Sequence, residues 1–184
     1  MPSLSEDERN EILRVARESV TEAVVHGRVL SSYPHSGIFE RQIGVFVTLH
    51  VGGKLRGCIG VIHPQEEFGK SLARTAASAA LEDPRFHKMQ PMELENAEIE
   101  ISLLSEMEPT TPEEIEVGKD GLVVERGIRR GLLLPQVAVE HRLDRERFLE
   151  ETCLKAGLPR DIWKDAETKI YRFQCEVFSE AKRV

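Results

Sequence analysis

The chain has 184 residues, 40% of them hydrophobic, enough for one compact core or for one core with a small satellite subdomain. Its formal charge of -7 arises wholly after residue 90, since the first 90 residues carry 11 Lys/Arg against 11 Asp/Glu and the remainder 14 against 21. That balance leaves no basic stripe for a phosphate backbone, so nucleic acid is not an expected partner, and three unrelated cysteines argue against a disulfide framework or a zinc knuckle.

The opening Met1-Pro2-Ser3-Leu4-Ser5 passes into charged residues without an apolar signal core, and no apolar run reaches membrane-spanning length. A cytoplasmic protein with reduced thiols and no membrane association is expected. Ser5-Glu6-Asp7-Glu8 has the spacing of a capping box, in which serine and glutamate satisfy the free amides of a first helical turn. Ile12, Leu13, Ala16, Val20, Ala23 and Val24 then line one helical face, and Gly27 supplies an end. Residues 31–42, with Pro34 and Gly37, read as loop.

From Gly44 to Val51 the period changes to two, which predicts a strand, and Gly52-Gly53 suits a two-residue hairpin turn. Lys54 to Ile62 should return as its antiparallel partner, ended by Pro64. Glu66 to Leu81 reads as a helix with Phe68, Leu72, Ala76, Ala79 and Ala80 inward, closed by Asp83-Pro84. Ala97, Ile99, Ile101 and Leu103 alternate with Glu98, Glu100 and Ser102 in a half-buried strand.

Thr111-Pro112-Glu113-Glu114 predicts a short helical turn. A Lys119-Asp120-Gly121 turn, a strand from Leu122 to Glu125, a Gly127 to Gly131 loop and Leu132 to Leu134 follow, as a small β unit. Asp144 caps a helix bearing Phe148, Leu149, Cys153 and Ala156, terminated by Gly157 and Pro159, with Trp163 beyond it as an anchor of the satellite core. Lys169 to Phe178 is the last predicted strand, with Tyr171, Phe173, Cys175 and Val177 on one face. Helices and strands mix without regular alternation, so the expected class is α+β: a mainly antiparallel sheet packed with helices, plus a smaller β-containing subdomain around residues 110–140 of a single domain.

The segment richest in chemistry is Leu55-Arg56-Gly57-Cys58-Ile59-Gly60, on the return strand. Side chains two apart on a strand share a face, so Arg56 and Cys58 should be neighbours, and a guanidinium beside a thiol favours the thiolate. Gly57 and Gly60 leave the sulfur unshielded for a ligand. The other reading is that these glycines mark a bulge or close packing on the alanine-rich helix, with Cys58 as a small core residue.

Cys153 and Cys175 fall on apolar faces and read as core. His26, His35, His50, His63, His87 and His141 show no metal-binding spacing, so no metal is expected; His63 and His87 are placed to serve Cys58 as a base, although ordinary surface histidine is the plainer reading. Gly69-Lys70-Ser71 lacks the earlier glycine of a phosphate loop, and no Gly-x-Gly-x-x-Gly exists, so no cofactor is expected. Arg85, in Asp83-Pro84-Arg85-Phe86, either binds an anionic group or pairs with Asp83 or Glu82. Glu93 is a ligand-binding candidate or a helix cap.

Together, Gly44-Val45-Phe46-Val47-Thr48, the hexapeptide, Asp83-Pro84-Arg85-Phe86, Ile101-Ser102-Leu103-Leu104, Gly118 to Gly121, Leu134-Pro135-Gln136-Val137-Ala138 and Lys155-Ala156-Gly157 carry a pattern. From about Val15 to Phe178 the chain resembles the AMME syndrome candidate protein family, the AMMECR-type domain. The resemblance implies an α+β fold with a larger and a smaller part and a family of unsettled biochemical function. It also implies that microbial relatives work with a Memo-like protein and a radical S-adenosylmethionine enzyme. Where that pattern often has Gly-Trp-Asp, this chain has Arg142-Leu143-Asp144.

Two functions are expected from these residues. One is an enzyme or enzyme component in which Cys58, a cleft thiol, acts as nucleophile or redox group with Arg56, while Arg85 holds a small anionic substrate. The alternative is a non-catalytic ligand-binding or adaptor module, in which the strand offers backbone groups to a small molecule or to the Memo-like and radical S-adenosylmethionine partners.

Overall fold

The computed structural model describes residues 4–180, so the Met1-Pro2-Ser3 opening lies outside it. Residues Ser105–Cys175 form one compact unit and the rest of the described chain another. The fold is α+β with antiparallel strand pairing.

In the first unit, helix α1 (Glu6–His26) starts on the expected capping box, with both Ser5 and Glu8 bonds made, and ends at Gly27. Strands β1 (Val45–Val51), β2 (Lys54–Val61) and β3 (Ala97–Leu104) pair antiparallel in the order β2-β1-β3. Helix α2 (Phe68–Leu81) begins two residues later than the periodicity suggests, because the Phe68 amide donates to the Arg41 carbonyl at 2.7 Å. Both helices cover one face of the sheet. Val45, Val47, Leu49, Ile99, Ile101 and Leu103 are wholly buried there with Ile12, Val20, Phe68 and Leu72. Each such side chain contributes about 1.5–3 kcal/mol on burial, so this core fixes which residues of β1 and β3 face the other way.

The second unit holds β4 (Glu108–Pro109), β5 (Asp120–Arg126), β6 (Arg129–Leu133), α3 (Pro135–Glu140), α4 (Arg145–Lys155) and most of β7 (Lys169–Ser179). Strand β7 pairs with β4 and β5, and β5 with β6. The Gly127 to Gly131 loop is instead a tight turn followed by strand. Gly131 does not break β6; a Cβ there would lie 2.4 Å from the Ala156 amide and 2.6 Å from the Thr152 carbonyl oxygen, so glycine seats the end of α4. Nor does β7 bury a single face. Ile170 and Phe173, of opposite parity, are both buried, whereas Val177 is exposed: Ile170 joins the core around Ile115 and Phe148, and the Phe173 ring lies over Gly121 of β5. Asp144 caps α4 as expected, accepting from the Arg147 amide at 2.9 Å. Arg142 adopts φ 50°, the single positive-φ residue other than glycine among the described residues, and it stands where the resemblance has glycine. Leu143 packs against the core of this unit, as does Trp163.

Candidate functional site

The site starts from an irregularity in one hairpin. The Gly52-Gly53 turn, with φ 58° and 73°, sets Val51 opposite Lys54 and His50 opposite Leu55. A regular ladder would continue with Leu49 opposite Arg56, and would put Cys58 opposite Val47 on the helix-covered face. Instead Leu49 pairs with Gly57, leaving Arg56 as the extra residue of a β-bulge. Slipping by one residue turns all later side chains over. Gly57 comes to face the helices, and Cys58 lies opposite Thr48 on the face turned away from them.

Both glycines of the hexapeptide are then used in packing. A Cβ on Gly57 would lie 2.0 Å from the Ala79 carbonyl oxygen, so only glycine admits α2 this close. Gly60 stands opposite Phe46, and a Cβ there would lie 2.2 Å from the ring.

Cys58 is half-buried, and Thr48 Oγ1 donates to its Sγ at 3.3 Å. Its backbone is held by the Asp83-Pro84-Arg85 turn that closes α2. The Cys58 amide donates to Asp83 Oδ2 at 2.8 Å, and Arg85 Nη2 donates to the Cys58 carbonyl at 3.3 Å. Asp83 in turn accepts from the Arg85 amide (3.1 Å), Nε (3.0 Å) and Nη2 (2.7 Å). The Asp83 side chain is 2% exposed and that of Arg85 55%. The Arg85 side-chain bond, with the Cys58 and Arg85 amides, holds the Asp83 carboxyl far below its ordinary range although burial opposes this. Arg85 is held charged more firmly than usual, first by Asp83 and then by its interaction with the Cys58 side chain.

Arg56 is engaged elsewhere. Its Nε and Nη2 donate to the two Glu93 carboxylate oxygens at 2.7 and 3.0 Å, and Nη1 to the His87 carbonyl at 2.8 Å. That fork lowers the Glu93 carboxyl, with help from the Gln90 amide, so Glu93 is both an ion-pair partner and a cap. The guanidinium beside the thiol is thus that of Arg85. Arg56 fastens the bulge to the segment after α2, because the bulge breaks the two-residue alternation from which its proximity to the thiol was expected.

The remaining cysteines differ from Cys58. Burial raises the Cys153 thiol, which is fully buried in α4, and pushes that of Cys175 up to about 12. The sequence reading did not single out Thr48, or Asp83 as a ligand of the hexapeptide backbone. Thr48 becomes a neighbour only once the bulge is known, whereas an aspartate two residues before an arginine at a helix end was a visible signal for the clamp. On the same sheet face as Cys58 and Thr48 lie His50, opposite Glu98 of β3, and Glu100, opposite Thr48.

Residues 13–178 match the AMMECR1 family. A Methanothermobacter thermautotrophicus protein is 44% identical over 96% of this chain and 96% of its own, and a Thermococcus kodakarensis protein 45% identical over 95% and 91%. A crystal structure of an uncharacterized Pyrococcus horikoshii protein superposes with a TM-score of 0.89 at 38% identity, covering 96% of this chain and 93% of that one. With a family match over residues 13–178, relatives above 40% identical over nearly the whole chain and a shared fold, the chain belongs to the AMMECR1 family.

Proposed function

We propose that Cys58 is the reacting thiol of a cytoplasmic enzyme or enzyme component acting on a small substrate with an anionic group. The observation that carries this reading is the geometry at Cys58, where the sulfur accepts from the Thr48 hydroxyl and the Arg85 guanidinium is held on the carbonyl of the same residue, a hydroxyl and a cation gathered at one nucleophilic side chain. Asp83 anchors Arg85 through Nε and Nη2, and Nη1 makes no hydrogen bond among the described residues. On an exposed side chain, that edge suits a carboxylate or phosphate oxygen. At Cys58 the amide and carbonyl are already bound by Asp83 and Arg85, which weighs against a strand offering those groups to a ligand. The partnership implied by the resemblance, with a Memo-like protein and a radical S-adenosylmethionine enzyme, would supply or consume the substrate.

Iodoacetamide labelling in a Cys153→Ala/Cys175→Ala background tests the reading. Cys58 should label in the folded protein near neutral pH, and Arg85→Ala should slow it about tenfold by removing the cation beside the sulfur. A Cys58 that labels only on unfolding sinks it.

A further inference from the structure

We infer that His50 is the general base that takes the Cys58 proton and that Glu98 positions its imidazole, an assignment that rests on Cys58 being the reacting thiol. The bulge is what brings the three side chains to one face. Thr48 and His50 are two apart on β1, Cys58 stands opposite Thr48, and Glu98 stands opposite His50. Directly opposed residues on an antiparallel pair have Cβ atoms about 4.5–5.5 Å apart, and diagonal ones are within about 7–8 Å, still in reach of an imidazole. His50 is therefore flanked by a thiol on its diagonal and a carboxylate directly across. That is the order nucleophile, base, orienting group.

A second observation supports the assignment. The side chains of His50 and Glu98 are half-buried, yet among the described residues neither takes part in a hydrogen bond or ion pair. Neither side chain is committed to a structural partner among those residues, so both are free to turn toward one another and toward the sulfur when a substrate binds. The groups that face His50 are Glu98 from β3, Cys58 and Leu55 from β2, and Thr48 beside it on β1; Glu100 stands beyond Thr48, and Arg85 is bonded to the Cys58 carbonyl. Glu100 is two strands from Cys58, too far to take the proton directly. Asp83 is occupied by four donors. His87 meets the hexapeptide through its backbone carbonyl, which accepts from Arg56.

The step balances without a further reactant. The S–H bond breaks, its proton passes to the imidazole nitrogen facing the sulfur, and the sulfur keeps the electron pair. The other ring nitrogen, with the imidazole turned toward β3, then donates to Glu98. The sulfur pair then forms the bond to the electrophilic carbon, the leaving group departs with its own pair, and the imidazolium proton passes to it or to water. With iodoacetamide the bond formed is S–C, the bond broken is C–I, and iodide leaves.

The test is the pH–rate profile of Cys58 alkylation, in the Cys153→Ala/Cys175→Ala background, for the parent, His50→Gln and Glu98→Gln, with folding checked by circular dichroism. His50→Gln should slow labelling near neutral pH about tenfold and leave the alkaline rate unchanged, because hydroxide then ionises the thiol unaided. Glu98→Gln should shift the profile in the same direction by about threefold, as expected of a positioning group. Added imidazole should restore the neutral rate of His50→Ala. A reactive Cys58 whose profile is the same with and without His50 overturns this assignment alone. An inert Cys58 in the folded parent overturns it together with the proposed function. Should His50→Gln not fold, the Glu98→Gln profile decides, and an unchanged profile counts against the assignment.

Discussion

The hairpins β1–β2 and β5–β6 are built alike up to one residue. Each is closed by a two-residue turn, and each places a glycine beneath a helix: Gly57 under the Ala79 carbonyl of α2, Gly131 under the Thr152 carbonyl and Ala156 amide at the end of α4. In β5–β6 the ladder runs unbroken from Leu122 opposite Leu133 to Arg126 opposite Arg129, and Glu125 pairs with Arg130 across it. In β1–β2 the ladder slips at Arg56. The glycine is a helix seat in both cases. The slip is what sets a thiol, rather than a glycine, opposite Thr48 on the face that also carries His50.

The sharpest way to break the shared feature is to add a methyl group at each seat. Gly57→Ala and Gly131→Ala both drive a Cβ into backbone, and each should cost about 3 kcal/mol in urea unfolding. Gly60→Ala meets the Phe46 ring, which can turn, and should cost about 1 kcal/mol. Equal losses at Gly57 and Gly60 would contradict the seat.

The clamp that belongs to the slipped hairpin comes next. Asp83→Ala leaves the Cys58 amide without its acceptor and Arg85 unanchored, an expected loss of about 2 kcal/mol. Because the folded carboxyls of Asp83 and Glu93 lie below their ordinary range, their contribution is complete above the unfolded carboxylate value of about 4 and is lost as pH falls below it. The parent should lose stability in acid, and Asp83→Asn and Glu93→Gln should each flatten that dependence.

A smaller effect separates the two arginines. Arg56→Ala should cost about 1 kcal/mol through loss of the Glu93 fork while leaving the Cys58 labelling rate unchanged, whereas Arg85→Ala should slow labelling. If Arg56→Ala slows labelling as much, the bulge residue acts on the thiol after all. The smallest change expected is a gain. Arg142→Gly relieves a positive φ and should stabilise the protein by about 0.5–1 kcal/mol, read as a raised midpoint.

Much of the hairpin was legible. Alternation from Val45 to Val51 and the Gly52-Gly53 pair fixed both strands and their turn, and the Ser5/Glu8 spacing fixed the start of α1. A bulge or close packing on the alanine-rich helix was one of the two readings of the glycines, and both occur; what Leu55-Arg56-Gly57-Cys58 does not reveal is which residue is the extra one, which the fit of α2 against Gly57 places at Arg56. The identity of the arginine near the thiol was hidden for the same reason. Gly131 misled in the opposite sense: read as punctuation, it is a strand residue whose missing side chain matters more than its flexibility. The short helix α3 went unread because Pro135 to Glu140 is too brief for a periodic signal.

The Asp83 and Arg85 side chains have a consequence beyond the thiol. Strand β2 ends the β2-β1-β3 order, and an edge strand's unpaired N–H and C=O groups are a template for a strand from another molecule. At Cys58 a carboxylate accepts from the amide and a guanidinium donates to the carbonyl, which are the two bonds a neighbouring strand would make. The pair therefore works as a one-residue counterfeit strand that blocks sheet extension, and a chain stripped of it should self-associate more readily than its loss of stability alone would explain.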